Sequence, residues 1–238
     1  MVFDGEYIHD AEEVCDMKKL FQAIRKSDID TVKQLLEKKP ELISCTAKQP
    51  PQKDDGQSPL QVALKTGNFE IANHLLDLGA DVNFMESDSC CNEWRAPVIH
   101  DAIVASVRCS RWNVNSSIYG GIKVFSTKER ADEAFHTLER IINLGADVNA
   151  KDSHGISCLW RFCGEARQIL PTYNHVEQRL LENRIFTPEV KEDLSRIYCI
   201  LLKNGMDLNY IAPSFNRGAK EMYEKEPVGY FLNLSYPI

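Results

Sequence analysis

One five-residue phrase recurs along the chain. Gly79-Ala80-Asp81-Val82-Asn83 returns as Gly145-Ala146-Asp147-Val148-Asn149 and, altered, as Gly205-Met206-Asp207-Leu208-Asn209. Each copy follows an amphipathic run: Ile71, Leu75 and Leu76; Leu138, Ile141 and Ile142; Ile197, Ile200 and Leu201. Spacings of three and four residues put these side chains on one helical face. A glycine directly after such a run predicts a left-handed helix stop. A degenerate fourth copy lies at Val32, Leu35 and Leu36, followed by Lys39-Pro40-Glu41-Leu42. Self-similarity on this scale marks a stack of small units, none of which can bury its apolar face alone.

Upstream of the first clear copy stands Asp55-Gly56-Gln57-Ser58-Pro59-Leu60-Gln61-Val62-Ala63-Leu64. Gly56 suits a tight turn, Ser58 an N-cap, and Pro59 a first helical position where no N–H is needed. Gly67-Asn68 then breaks the chain before a second helix at Phe69 to Leu78. This turn–helix–loop–helix unit resembles the ankyrin repeat, with Gln61 where that family usually has His. Val98-Ile99-His100-Asp101-Ala102-Ile103 is similar to the first helix of the next unit. Asp152 to Trp160 resembles the following hairpin and helix start, with Trp160 replacing His. The resemblance implies that His100 bonds the backbone of a neighbouring hairpin.

The resemblance also implies an all-α fold, an ankyrin-repeat solenoid of about four helix–loop–helix units with β-hairpin loops. One domain is expected over residues 1–238. An acidic segment, 1–17, is expected to be a frayed tail, with a partner-binding arm as the alternative. Repeat 1 is placed at 18–54, starting near Leu20 to Ile24, and repeat 2 at 55–94. Repeat 3, 95–150, carries an insertion at 106–126, and repeat 4, 151–210, another at 167–187. Residues 211–238 form a partial C-terminal cap, with Pro227 to Leu232 as a half-formed helix.

Spacing reveals the two long insertions. Pro59 to Gly79 spans 20 residues, whereas Val98 to Gly145 and Cys158 to Gly205 each span 47. The first insertion holds Trp112, Ile118, Tyr119, Gly120, Gly121, Val124 and Phe125, and ends in a capping-box pattern at Ser126 to Glu129. The second holds Val176, Leu180, Leu181, Ile185 and Phe186 at helical spacing and ends at Thr187-Pro188. The two are expected to lie side by side as a lobe. No Asp or Glu occurs between Asp101 and Glu129, while Arg108, Arg111, Lys123 and Lys128 lie in that window. This reads as a basic, aromatic patch for an acidic partner, or as a solvated loop whose aromatics pack on the parent helices.

Composition narrows the function. With 28 basic and 35 acidic residues the net charge is −7, which argues against nucleic-acid binding. No run of about 18 apolar residues is present, so no membrane span is expected. No export signal is read at the N-terminus, and eight cysteines without metal-ligand spacing read as reduced thiols in a cytoplasmic protein. Vicinal Cys90-Cys91 lacks a supporting His or Cys, so no metal and no cofactor are expected. His100-Asp101 with Cys109 lacks the context of a catalytic set.

The resemblance implies a non-catalytic module that binds another protein through hairpin tips, first helices and the inserted lobe. The candidate contacts are Asp54, Asp55, Gln57, Lys65 and Thr66 in the second repeat, and Met85, Glu93, Trp94 and Arg95 in an enlarged hairpin. They continue with Asp101, then Arg108, Arg111, Trp112 and Tyr119 in the first insertion, and Ser153, His154 and Ile156 on the fourth hairpin. A dedicated inhibitor, such as a toxin-immunity or anti-defence protein, is a narrower alternative. An enzyme with a site in the inserted lobe is an alternative of another class. A monomer is expected when free.

Overall fold

The computed structural model describes the backbone of residues 4–234 and side chains from residue 14. The chain divides at Val98/Ile99 into two compact units. The first contains α1 (Asp4–Arg25), α2 (Ile29–Lys38), α3 (Pro59–Thr66) and α4 (Phe69–Asp77). The second contains α5 (Val98–Arg108), β1 (Asn113–Ser116), β2 (Gly121–Val124), α6 (Lys128–Asn143) and α7 (Cys158–Ile169). It continues with β3 (Tyr173–Asn174), β4 (Arg179–Leu180), α8 (Pro188–Lys203), α9 (Ala219–Met222) and α10 (Gly229–Leu232).

In the first unit, Leu20, Ile24, Val32, Leu60, Leu64, Ile71 and Leu75 fill the core. Ser58 caps α3 through Gln61 N, while the Gln61 side chain accepts from Ser58 N, closing the capping box. Gly67 ends α3 at φ 70°. The acidic N-terminal segment is not a frayed tail from Asp4 onward, because it forms the first turns of α1. Residues 1–3 and 235–238, parts of the expected tail and cap, lie outside the described residues.

The repeated phrase adopts one geometry three times. Gly79, Gly145 and Gly205 have φ of 85°, 96° and 87°. In each copy the next amide reaches back into the helix: Ala80 N to Leu75 O, Ala146 N to Ile141 O and Met206 N to Leu201 O, at 3.0, 3.2 and 3.1 Å. These bonds satisfy carbonyls that a helix end leaves open. Asp81, Asp147 and Asp207 then each accept from the amide two residues on, at 2.8 Å. Glycine supplies the backbone angle and aspartate the turn's acceptor, which is why the phrase tolerates Met206 and Leu208 but retains Gly and Asp.

A second device recurs one turn into each first helix. Gln61 Nε2 donates to Ala96 O at 2.8 Å, His100 Nε2 lies 3.1 Å from Ala150 O, and Trp160 Nε1 donates to Tyr210 O at 3.0 Å. Three chemically different side chains tie a helix to the next connecting loop. His100 is buried and its pKa falls to about 4, chiefly through desolvation, so the ring is neutral at pH 7.

The second unit's core centres on Phe162, Tyr198 and Phe231, with Phe162–Phe231 in an edge-to-face contact at 5.8 Å. Trp160 stacks on Phe215 at 4.2 Å. Thr127 and Thr187 cap α6 and α8. The first of these caps is one residue later than the Ser126–Glu129 pattern suggests.

Candidate functional site: a paired-hairpin surface

The segments between α5 and α6 and between α7 and α8 each fold as a β-hairpin. The first pairs Asn113 with Val124 through Ser116 with Gly121. Its turn ends at Gly120, φ 68°. The second segment was expected to be helical, but β3 and β4 pair instead. Val176 and Leu180 are spaced as in a helix, yet Asn174 Oδ1 accepts from Val176 N and Glu177 N, closing a turn, and Gln178 takes φ 52°. Local hydrogen bonding overrides a periodicity carried by only a few residues.

The two segments are stitched together. Asn115 N donates to Asn183 O at 2.9 Å and Asn115 Nδ2 to Glu182 O at 3.0 Å. Asn113 Nδ2 donates to Ile185 O, and Ile185 N returns to Asn113 Oδ1, both at 2.8 Å. Asn113 is buried, so this reciprocal pair satisfies an amide that would otherwise be costly.

Outward from this seam lies an apolar surface. Ile118 is 87% exposed and Val176 93%, and Tyr119, Ile122, Val124, Phe125, Leu180 and Ile185 are also open to solvent. Trp112, half-buried, stacks on Phe125 at 4.4 Å, and Tyr119 meets Phe125 edge-on. Lys123 Nζ stands 4.8 Å from the Tyr119 ring and Arg184 6.0 Å from Trp112. Neither Lys123 nor Arg184 has an acidic partner among the described residues.

The basic window is mostly not a basic patch. Arg111 is drawn inward: its Nε and Nη2 donate to Asp193 at 2.9 and 2.7 Å, and Nη2 also reaches Glu192 at 2.8 Å. These acids raise its pKa further, with Asp193 the larger cause. Arg108 pairs with Glu165 and Lys128 with Asp132. Asp132 is bonded by Lys128 and Arg196, in that order of effect, and its pKa falls to about 2. Arg111 therefore fastens the hairpin's base to α8 and Arg108 ties the end of α5 to α7, while Lys128 pairs within α6.

Other candidate contacts divide by burial. Asp54 is buried against Arg25 Nε at 2.7 Å, and Gln57 is buried with its amide on Glu86. Asp101 is buried too. These three were expected at a surface, but hairpin and helix packing encloses them. Asp55 is half-buried and accepts from Cys91 N, which depresses its pKa. It lines a cleft of about 130 Å³ with Met85, Phe84 and Cys90. Arg95 is half-buried and pairs with Asp88. Lys65, Thr66, Glu93 and Trp94 are exposed in the first unit, and Ser153 and His154 in the second, with Ile156 half-buried. The surface residues absent from the candidate set are Ile118, Ile122, Lys123, Val124, Phe125, Val176, Leu180, Arg184 and Ile185. Alternation around Tyr119-Gly120-Gly121, a hairpin signal, would have found the strand residues.

Residues 6–86 match a family model described as ankyrin repeats (3 copies). That stretch is thus similar to ankyrin repeats, which generally bind other proteins and are typically non-catalytic. Comparison with curated proteins found no match. No helix among the described residues is long and apolar enough to cross a membrane.

Proposed function

We propose that this chain is a non-catalytic module that recognises another protein, with the paired hairpins of the second unit as its main contact surface. One observation carries the reading: Ile118, Tyr119, Ile122, Val124 and Phe125 stand open on one short ribbon, beside Lys123 and Arg184. Soluble domains rarely leave such a cluster without a use. Stitching by Asn113 and Asn115 preorganises it, which lowers the ordering cost of binding. We read 106–126 and 167–187 as insertions into two ankyrin units and 211–238 as a cap. Trp94 with Glu93, Lys65 with Thr66, and Ser153 with His154 are secondary contacts. We place the protein in the cytoplasm as a free monomer, a setting that suits eight free thiols.

Affinity capture with the full chain, quantified by mass spectrometry against Ile118→Ser and Tyr119→Ser, tests this reading. A partner enriched on the wild type and lost from both variants supports it. Equal enrichment on all three overturns the hairpin surface. The narrower inhibitor reading draws on the net charge of −7, which speeds encounter with a basic target. It requires one stoichiometric partner whose activity is suppressed, and several substoichiometric partners would refute it.

A further inference from the structure

Strand β2 is an open edge. In an antiparallel pair, opposed residues alternate between those that exchange hydrogen bonds and those whose N–H and C=O point away. Phe125 N donates to Trp112 O at 2.9 Å, which sets the phase of the ladder. Val114 and Lys123, two residues on, fall in the bonded class, while Asn113/Val124 and Asn115/Ile122 turn their backbone groups outward. On the β1 side the outward amide of Asn115 is taken by Asn183 O. On the β2 side, the outward N–H and C=O groups of Ile122 and Val124 meet no partner among the described residues.

The side chains specify what could sit there. Ile122 and Val124 share one face and are each more than half exposed, at 55% and 53%. Lys123, between them, points to the aromatic face, over Tyr119 and Phe125. Proteins usually blunt such an edge with charged side chains, above all Lys, with Pro or with a covering loop; β2 carries a single such charge, Lys123, and no Pro. A second copy of the chain is a poor occupant. Antiparallel pairing of two β2 strands centred on Lys123 would set lysine against lysine, and the hairpin contains no Asp or Glu to relieve it.

We propose that β2 accepts an extended segment of a partner protein as an added strand, with apolar residues beside Ile122 and Val124 and an acidic residue beside Lys123. This rests on the partner-binding reading above and gives it a mode of contact. Backbone pairing supplies the docking, and the apolar–acidic–apolar order supplies selectivity.

The probe is a fluorescein-labelled peptide of alternating valine and glutamate, with a valine–lysine peptide as its control, titrated with the full chain by fluorescence polarisation. Val124→Pro removes an outward N–H and no ladder bond, so the hairpin keeps its own pairing. The expected result is binding of the glutamate peptide that weakens by about tenfold or more in Val124→Pro. Lys123→Glu should reverse the preference toward the lysine peptide, and it tests the proposal if Val124→Pro fails to fold. Amide exchange at Ile122 should slow on binding. Binding undiminished by Val124→Pro, no preference between the peptides, or no binding of either would overturn strand addition. So would self-association of the wild type that Val124→Pro abolishes. Peptide binding that survives Val124→Pro but falls with Tyr119→Ala removes strand addition and leaves the hairpin surface standing. Capture insensitive to Ile118→Ser removes the surface itself.

Discussion

Truncating Arg111 to alanine should destabilise the second unit. Its side chain is only 15% exposed and Asp193 only 2%, so the pair is largely removed from water. Removing one partner of such a pair costs about 3–5 kcal/mol, because the other charge stays buried. Here Asp193 keeps two donors, the Arg111 backbone N–H at 2.9 Å and Arg196 Nη2 at 3.2 Å. The loss therefore falls at or below the low end of that range, about 2–3 kcal/mol. For a unit of about 140 residues, 1 kcal/mol shifts the melting midpoint by roughly 2–4 °C, so a drop of about 5–10 °C is expected. Thermal unfolding followed by circular dichroism reads this directly. Arg111→Lys keeps the charge but not the planar fork, and should recover only part of the loss. A drop under about 2 °C for Arg111→Ala would refute the staple and return Arg111 to the surface.

Further outcomes follow from other positions. Gly79→Val should cost about 1–2 kcal/mol in urea unfolding through backbone strain alone, since a Cβ there meets nothing within 4 Å. An unchanged midpoint would remove the helix-stop account. Asp132→Asn should be destabilising above about pH 4 and nearly neutral near pH 2. The folded pKa of Asp132 lies below its ordinary 3.8, so its contribution is present above that value and lost as pH falls through about 2. A wild-type-minus-variant stability difference that stays constant between about pH 6 and about pH 2 would contradict this. Trp94→Ala and Tyr119→Ala should each change stability by less than about 0.5 kcal/mol, because both side chains are exposed. A large loss would place either ring in a core.

What was legible in the sequence was whatever is encoded locally. The Gly-x-Asp-x-Asn turn specifies its own φ and its own acceptor, so three copies could be aligned before any packing was known. The capping box at Ser58 and Gln61 lies within four residues. The hairpin-bonding role of His100 came from resemblance, and Gln61 and Trp160 share it although neither is His. The misplaced residues depend on distant partners. Arg111 meets an aspartate 82 residues away, and Asp54 an arginine 29 residues away. Charged residue types read as surface unless the partner is known. The second hairpin was hidden because Val176 and Leu180 fit a helical period while the decisive signal, Asn174 closing a turn, is a single side chain.

The central claim is that the paired hairpins touch the partner. Photo-cross-linking tests it most directly, with benzoylphenylalanine in place of Ile118 in one protein and in place of Leu144, exposed at the end of α6, in another. The account predicts one cross-linked protein from the Ile118 position and none from Leu144. Equal cross-linking from both positions, or cross-linking from Leu144 alone, would contradict it.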